Sequence, residues 1–444
     1  MLTLMKINPL VIRQLHRKMA TLSVLPQKAL MDEPVKISIK GLSPGQPVTL
    51  AAMCDEGKVV FASYGQYKAD EQGLVDLEKA TSVGGTYTGI EPMGLFWSMS
   101  PQRGDNPAFR FRRKDTRQPH FMKLSVLDGH VAGDHADDHQ GPKLDQLEVE
   151  RGYLADHVKR ISFREGSLRG TLFVPNGGVG RHPGLLDMYG TGGGLAEYRG
   201  ALLASKGYTV LSLAFFAYED LPEALDVPYE YFEEAIETLS SHPNVIPSGI
   251  GTVGLSKGGE IALLCTTLSD KVKAAVAINN YFYTSTGDHT HRGKRLPTVW
   301  PDMEKMVTDE TGAVTLRWAY NEAPNQEAAS MPLDKIPKDT HLLIMAGGDD
   351  VLVDSMNTSI ITQRLKQYGH ENFSAHIFQG AGHLLEPPYM PHCLYSRHPW
   401  GMNLKWGGKT RPHAYAQMTM WKLLLAFLKE TLPHPTVTSC SSKL

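Results

Sequence analysis

Cysteine is scarce in this chain. There are four among 444 residues, Cys54, Cys265, Cys393 and Cys440, and none has a neighbour at the spacing used by zinc sites or disulfide scaffolds. That scarcity fits a reducing, intracellular compartment. Net charge is nearly absent as well, because 45 Lys+Arg offset 47 Asp+Glu to leave −2. No global field therefore draws the chain to nucleic acid or to an anionic membrane. No apolar run reaches the roughly 18 residues of a membrane span. Internal repeats and long low-complexity stretches are missing too, which excludes solenoid and linker architectures. The length exceeds what one small core uses, so two domains are expected.

Acid is missing from the first 31 residues, which carry Lys6, Arg13, Arg17, Lys18 and Lys28 among Leu10, Val11, Ile12 and Leu15. This composition is similar to a mitochondrial presequence, and residues 1–25 are expected to be an N-terminal extension. At the other end, Ser442-Lys443-Leu444 matches the tripeptide read by the peroxisomal import receptor, behind a small polar stretch from Thr436 to Ser441. Residues 436–444 are therefore expected as a flexible tail, and the peroxisome as the location. The mitochondrion and the cytosol are the alternatives.

Between about Val35 and Val126 the chain reads as short alternating runs punctuated by Pro and Gly, such as Val35 to Ile39, Val48 to Ala52 and Leu95 to Met99. Period-two alternation predicts an all-β sandwich over 26–150. Its last part, from Gly129 to Gln146, holds His130, Asp134, His135, Asp137, Asp138 and His139. Donors crowded into one polar run are expected to form a solvated interdomain loop, because metal sites draw ligands from separate rigid elements. From 151 to 435 the pattern changes to apolar strands alternating with longer helical stretches, which predicts a doubly wound, mainly parallel α/β sheet.

The most telling motif of that second region is Gly254-Leu255-Ser256-Lys257-Gly258-Gly259, between the strand-like Gly251-Thr252-Val253 and the helical Glu260 to Leu264. A serine framed by glycines where a strand turns into a helix reads as a nucleophile elbow. Serine needs a base, and the base needs an orienting carboxylate. The strand-like His341 to Ala346 ends in Gly347-Gly348-Asp349-Asp350, and one helix and one strand further on Gly380-Ala381-Gly382-His383 places a histidine in a glycine-rich turn. The order Ser, Asp, His is that of α/β hydrolases. Asp350 is preferred as the acid and Asp349 is the alternative. Oxyanion donors are expected at the Lys257 N–H and in the loop Gly190-Thr191-Gly192-Gly193-Gly194, at Gly192 and Gly193.

Around these residues stand further linked motifs: Asp187-Met188-Tyr189 before the glycine loop, Glu197-Tyr198-Arg199, Tyr218-Glu219-Asp220-Leu221-Pro222 and Tyr231-Phe232-Glu233-Glu234-Ala235. Later come Ala381-Gly382-His383-Leu384-Leu385-Glu386-Pro387-Pro388-Tyr389, Trp406-Gly407-Gly408-Lys409 and His413-Ala414-Tyr415-Ala416-Gln417. Together they resemble the acyl-CoA thioesterase and bile acid-CoA:amino acid N-acyltransferase family over nearly the whole length beyond the first 25 or so residues. The resemblance implies a β-sandwich followed by an α/β-hydrolase domain, with a triad at Ser256, Asp350 and His383. It implies an acyl-CoA substrate, hydrolysis to fatty acid and CoA through an acyl-serine, and no cofactor or metal. Transfer of the acyl group to glycine or taurine is the alternative within the family, and a non-catalytic binding protein on the same fold is the alternative outside it. The stretch from Tyr281 to Leu296 matches none of these motifs.

Overall fold

The computed structural model describes residues 20–102, 104–131 and 143–433. The residues before 20, the run from Asp134 to His139 and the Ser442-Lys443-Leu444 tripeptide lie outside the described residues. The chain divides into two compact units, one built mainly from Glu33–Asp105 and His120–Arg151, the other from Leu30–Asp32, Asn106–Pro119 and the described residues from Gly152 onward.

Among its described residues, the first unit is all β apart from one helical turn. Thr21–Leu25 pairs antiparallel with Lys36–Lys40, whose other edge meets Val75–Asp76. In a second sheet Pro47–Asp55 lies between Val60–Lys68 and His120–Asp128, and Lys143–Gly152 adds beyond the latter. Two expectations are corrected here. Residues 21–25 are part of the β structure, because alternation continues upstream of residue 26: Leu22 and Val24 are buried, as are their partners Ile39 and Ile37. The run Leu95 to Met99 is not extended either. Gly94–Trp97 forms a helical turn with all four residues buried, which a two-faced strand on a single core cannot achieve.

The second unit is organised around eight strands: β1 (Lys159–Glu165), β2 (Leu168–Val174), β3 (His182–Met188), β4 (Thr209–Ala214), β5 (Val245–Leu255), β6 (Val272–Ile278), β7 (His341–Gly347) and β8 (Phe373–Phe378). Their order across the sheet is β1-β2-β4-β3-β5-β6-β7-β8. β2 runs antiparallel to both neighbours, and every pairing from β4 to β8 is parallel. Strands β2, β3 and β4 are buried at every residue. Arg169, Thr171, His182, Asp187, Thr209 and Ser212 are buried along with their apolar neighbours, as expected where helices cover both faces of a sheet. The covering helices are α1 (Tyr198–Ser205), α2 (Glu230–Ser241), α3 (Lys257–Leu268), α4 (Met356–Gln367) and α5 (Thr410–Thr431). In α2, Phe232, Ala235, Ile236 and Leu239 face the core at helical spacing, and Glu230 and Glu233 lie in the first turn, where the helix dipole favours acid. This is an α/β-hydrolase sheet. Its carboxyl edge gathers the loops that leave β3, β5, β6, β7 and β8, and that edge is where open α/β sheets build their sites.

Candidate active site

At the end of β5 the backbone turns so sharply that Ser256 adopts φ 60° and ψ −125°, a conformation that side chains other than glycine rarely hold. The glycines around it are steric necessities. A β-carbon on Gly254 would stand 1.9 Å from the Gly258 carbonyl oxygen, and one on Gly258 would stand 2.4 Å from that of Met188. The turn is fixed by hydrogen bonds from the Ser256 N–H to the Ile278 carbonyl (2.8 Å) and from the Gly259 N–H to the Ser256 carbonyl (2.9 Å). Ser256 is the N-cap of α3, yet its side chain makes no capping hydrogen bond. A half-buried hydroxyl at a helix N-terminus is thus left unconsumed by the helix.

The loops after β7 and β8 bring an acid and a base together. His383 Nδ1 lies 2.7 Å from Asp350 Oδ2, with both side chains buried. The other carboxylate oxygen, Asp350 Oδ1, accepts the backbone N–H groups of Leu352 (2.7 Å) and Val353 (3.0 Å). These donors stabilise the ionised carboxylate in a place where an unpaired charge would be costly. Asp349, the alternative acid, instead accepts the Gly380 N–H through Oδ1 at 3.2 Å and so braces the histidine's loop. The His383 N–H donates to the Trp406 carbonyl (2.7 Å), and the imidazole stacks on the Trp406 ring at 5.5 Å. Asn279, at the end of β6, ties two loops together. Its Nδ2 donates to the His383 carbonyl at 2.6 Å, and its Oδ1 accepts the Gly347 N–H at 2.7 Å.

Of the glycines in the loop after β3, the one that meets the serine is Gly190. A β-carbon there would stand 2.9 Å from Ser256 Cβ and 3.2 Å from its Oγ. Gly192 and Gly193, where the second oxyanion donor is expected, lie further along the same loop. Gly193, at φ 61°, packs on Phe216 and Ala217, and the space around Gly192 is open. Lys257 is the first residue of α3, where backbone N–H groups have no intrahelical acceptor. Its side chain is buried and bonds Glu260 and the Ser285 carbonyl. Burial pushes the Lys257 ammonium below its ordinary pKa, and the Glu260 carboxylate opposes the shift. Ser285 completes this clamp through its Oγ on Glu260 Oε2 at 2.7 Å. The stretch that matched no motif therefore anchors the first turn of the elbow helix. Below the β3 loop, Arg199 Nε bonds Asp187 Oδ1 (2.6 Å), its Nη2 bonds the Met188 carbonyl (2.7 Å), and its guanidinium lies 4.3 Å from the centre of the Tyr189 ring.

Two buried histidines join this arrangement without a signal in the spacing. His413 Nδ1 accepts the Gly382 N–H at 3.0 Å, and its Nε2 contacts the Leu384 carbonyl at 2.9 Å, so the proton resides on Nε2. Burial, with neighbouring His392 adding to it, lowers its pKa to about 3. His398 likewise accepts the Trp400 N–H at Nδ1 (3.4 Å) and faces Thr191 Oγ1 through Nε2 (3.4 Å). Its pKa falls to about 4 through burial and, secondarily, the charge of His383. His413 stands in a quoted motif, but nothing in a linear pattern says that its ring supports the residues on either side of His383. Among the described residues, the only cluster of three donors able to hold a metal is Cys54, Glu56 and His120 in the first unit.

Residues 32–165 match the family model described as acyl-CoA thioester hydrolase/BAAT N-terminal region, and residues 227–434 match BAAT/acyl-CoA thioester hydrolase C terminal. Mouse acyl-coenzyme A thioesterase 2, mitochondrial, is 38% identical over 94% of this chain and 90% of its own length. Mouse peroxisomal succinyl-coenzyme A thioesterase is 36% identical over 93% of this chain and 97% of its own. Mouse bile acid-CoA:amino acid N-acyltransferase is 38% identical over 93% and 98%.

Proposed function

The chain belongs to the acyl-CoA thioester hydrolase/BAAT family, and on that premise we propose that it is an acyl-CoA thioesterase, cleaving fatty acyl-CoA to fatty acid and CoA at Ser256. The observations that support this reading are a strained, uncapped serine after β5 and a histidine after β8 whose Nδ1 is held 2.7 Å from Asp350. Ser256 Oγ attacks the thioester carbonyl carbon and gives its proton to His383 Nε2, while Asp350 holds the Nδ1–H tautomer and stabilises the imidazolium. The Lys257 N–H and the loop beginning at Gly190 receive the developing oxyanion. The carbon–sulfur bond then breaks and CoA leaves as a thiol, taking the proton from His383. A thiol pKa of about 8.5 makes it a far better leaving group than an amine. Water next gives a proton to His383 and attacks the acyl-serine, releasing the carboxylic acid and restoring the Ser256 hydroxyl.

Similarity to the N-acyltransferase leaves glycine or taurine as the rival acceptor. Serine favours water, because an acyl-serine oxyester is less open to aminolysis than a thioester. Thiol release and amide formation, followed with and without glycine or taurine, test the choice: fatty acid is the expected product, and a dominant amide refutes it. Labelling of Ser256 by a fluorophosphonate is expected, and its failure would favour a non-catalytic binding protein. For location, the relatives' names span mitochondrion and peroxisome, and Ser442-Lys443-Leu444 favours the peroxisome. Imaging the protein with the tripeptide intact and with Leu444 replaced by Ala tests this, and an unchanged distribution overturns it.

A further inference from the structure

The segment Asn106–Pro119 belongs to the second unit and carries arginines toward its candidate site. Arg110 and Arg112 stand on either side of Phe111, which is buried. Arg110 is compensated: its Nη2 bonds Glu386, and it donates to the Tyr198 hydroxyl at 2.9 Å. Arg112 is exposed, and no ion pair or hydrogen bond links its side chain to the described residues. The groups that act on it electrostatically are Arg110, Tyr198, Glu386 and Tyr189, and the Arg110 charge, together with packing, pushes its pKa below the ordinary value. Two guanidinium groups thus share one carboxylate, which leaves one positive charge uncompensated.

A second orphan has the same neighbours. The Tyr189 hydroxyl is buried with no hydrogen-bond partner, its ring 5.1 Å from that of Tyr198. Leaving such a donor unpaired is unfavourable. An oxyanion is the ligand chemistry that satisfies a hydroxyl donor and an unpaired guanidinium together. Its place is also defined. Tyr189 immediately precedes Gly190, which packs on Ser256, and Glu386 follows His383 by three residues.

We propose that Arg112 and the Tyr189 hydroxyl form an oxyanion subsite of the thioester substrate, holding a phosphate of CoA or the terminal carboxylate of a dicarboxylic acyl chain. The proposal rests on the thioesterase reading above. The test compares wild type with Arg112→Gln on decanoyl-CoA, on decanoyl-pantetheine, which lacks the phosphates, and on adipoyl-CoA. If the anion is a phosphate, KM for both CoA esters rises roughly tenfold, kcat and the pantetheine ester are unaffected, and added salt raises KM in wild type alone. If it is the acyl carboxylate, KM rises for adipoyl-CoA only. Arg112→Lys restores part of either effect, and Tyr189→Phe gives a smaller change of the same pattern. Unaltered KM for all three substrates overturns the proposal, as does a parallel loss of kcat on all three with a lowered melting temperature, which marks a structural role. Should wild type cleave none of the thioesters, the thioesterase reading fails separately. Calorimetric binding of CoA and of adipate to wild type and Arg112→Gln then decides the subsite alone, and equal affinities overturn it.

Discussion

His120 Nδ1 lies 2.7 Å from Glu56 Oε1 in the first unit, and His383 Nδ1 lies 2.7 Å from Asp350 Oδ2 in the second. Both pairs are buried, so neither distance nor burial separates them. What differs is where the third member stands. Cys54 Sγ approaches the carboxylate of its pair, 3.2 Å from Glu56 Oε1, and Cys54 sits inside the regular strand Pro47–Asp55, hydrogen-bonded on both sides. Ser256 sits instead on a turn that the chain holds under strain, at a helix N-terminus, with glycine backbone pressed against it. A buried histidine–carboxylate pair is by itself a structural device. It becomes a chemical one when a nucleophile is placed under backbone strain and given N–H donors for a developing charge.

The largest effect expected from this contrast is that Ser256→Ala lowers kcat/KM for acyl-CoA by about 10⁴-fold or more, with the melting temperature little altered because alanine keeps the β-carbon and the backbone turn. Residual turnover within tenfold of wild type would show that the serine is not the nucleophile. Next, Asp350→Asn is expected to lower kcat by about 10²–10⁴-fold, since it removes the partner that sets the His383 tautomer. Asp349→Asn should cost only a few-fold, because it keeps an oxygen for the Gly380 N–H. Equal losses in the two variants would erase the distinction between these neighbours. In the first unit Glu56→Gln should leave kcat and KM unchanged and destabilise the fold by about 1–3 kcal/mol in urea titrations. Loss of activity without loss of stability would show that the two pairs are alike after all.

The smallest effect concerns pH. His413 is held neutral, with a pKa lowered to about 3 from the ordinary 6.5. Between those values the unfolded chain binds more protons than the folded one, so stability is complete above about pH 6.5 and declines as pH falls toward 3. His392 and His398 are shifted in the same direction and steepen the decline. In His413→Gln the urea midpoint should therefore change less between pH 7 and pH 5 than in wild type. An identical slope would mean that His413 is not neutralised by the fold.

The chain's periodicities were enough to divide it into a β unit and an α/β unit and to place a strand before Ser256, Asp350 and His383, because burying one face or both leaves a repeat in the residues themselves. The glycine frame at Gly254 and Gly258 was legible for a related reason: a turn that excludes β-carbons writes its requirement into the chain. Where local preference competed with burial, the linear pattern misled. It made Leu95 to Met99 a strand and left Thr21–Leu25 outside the fold.

Other features had no local signature. The placement of Asp350 rather than Asp349 against His383, the approach of Gly190 to Ser256, the clamp of Ser285 on Lys257 and Glu260, and the proton position of His413 are set by contacts between residues tens of positions apart. Sequence by itself determined the fold class, the order of the reactive groups and the family, since each is carried by residues adjacent or periodic along the chain. Tertiary structure alone decided which oxygen faces the histidine and which glycine faces the serine, because hydrogen bonds and close packing act over about 3 Å in space regardless of separation along the chain.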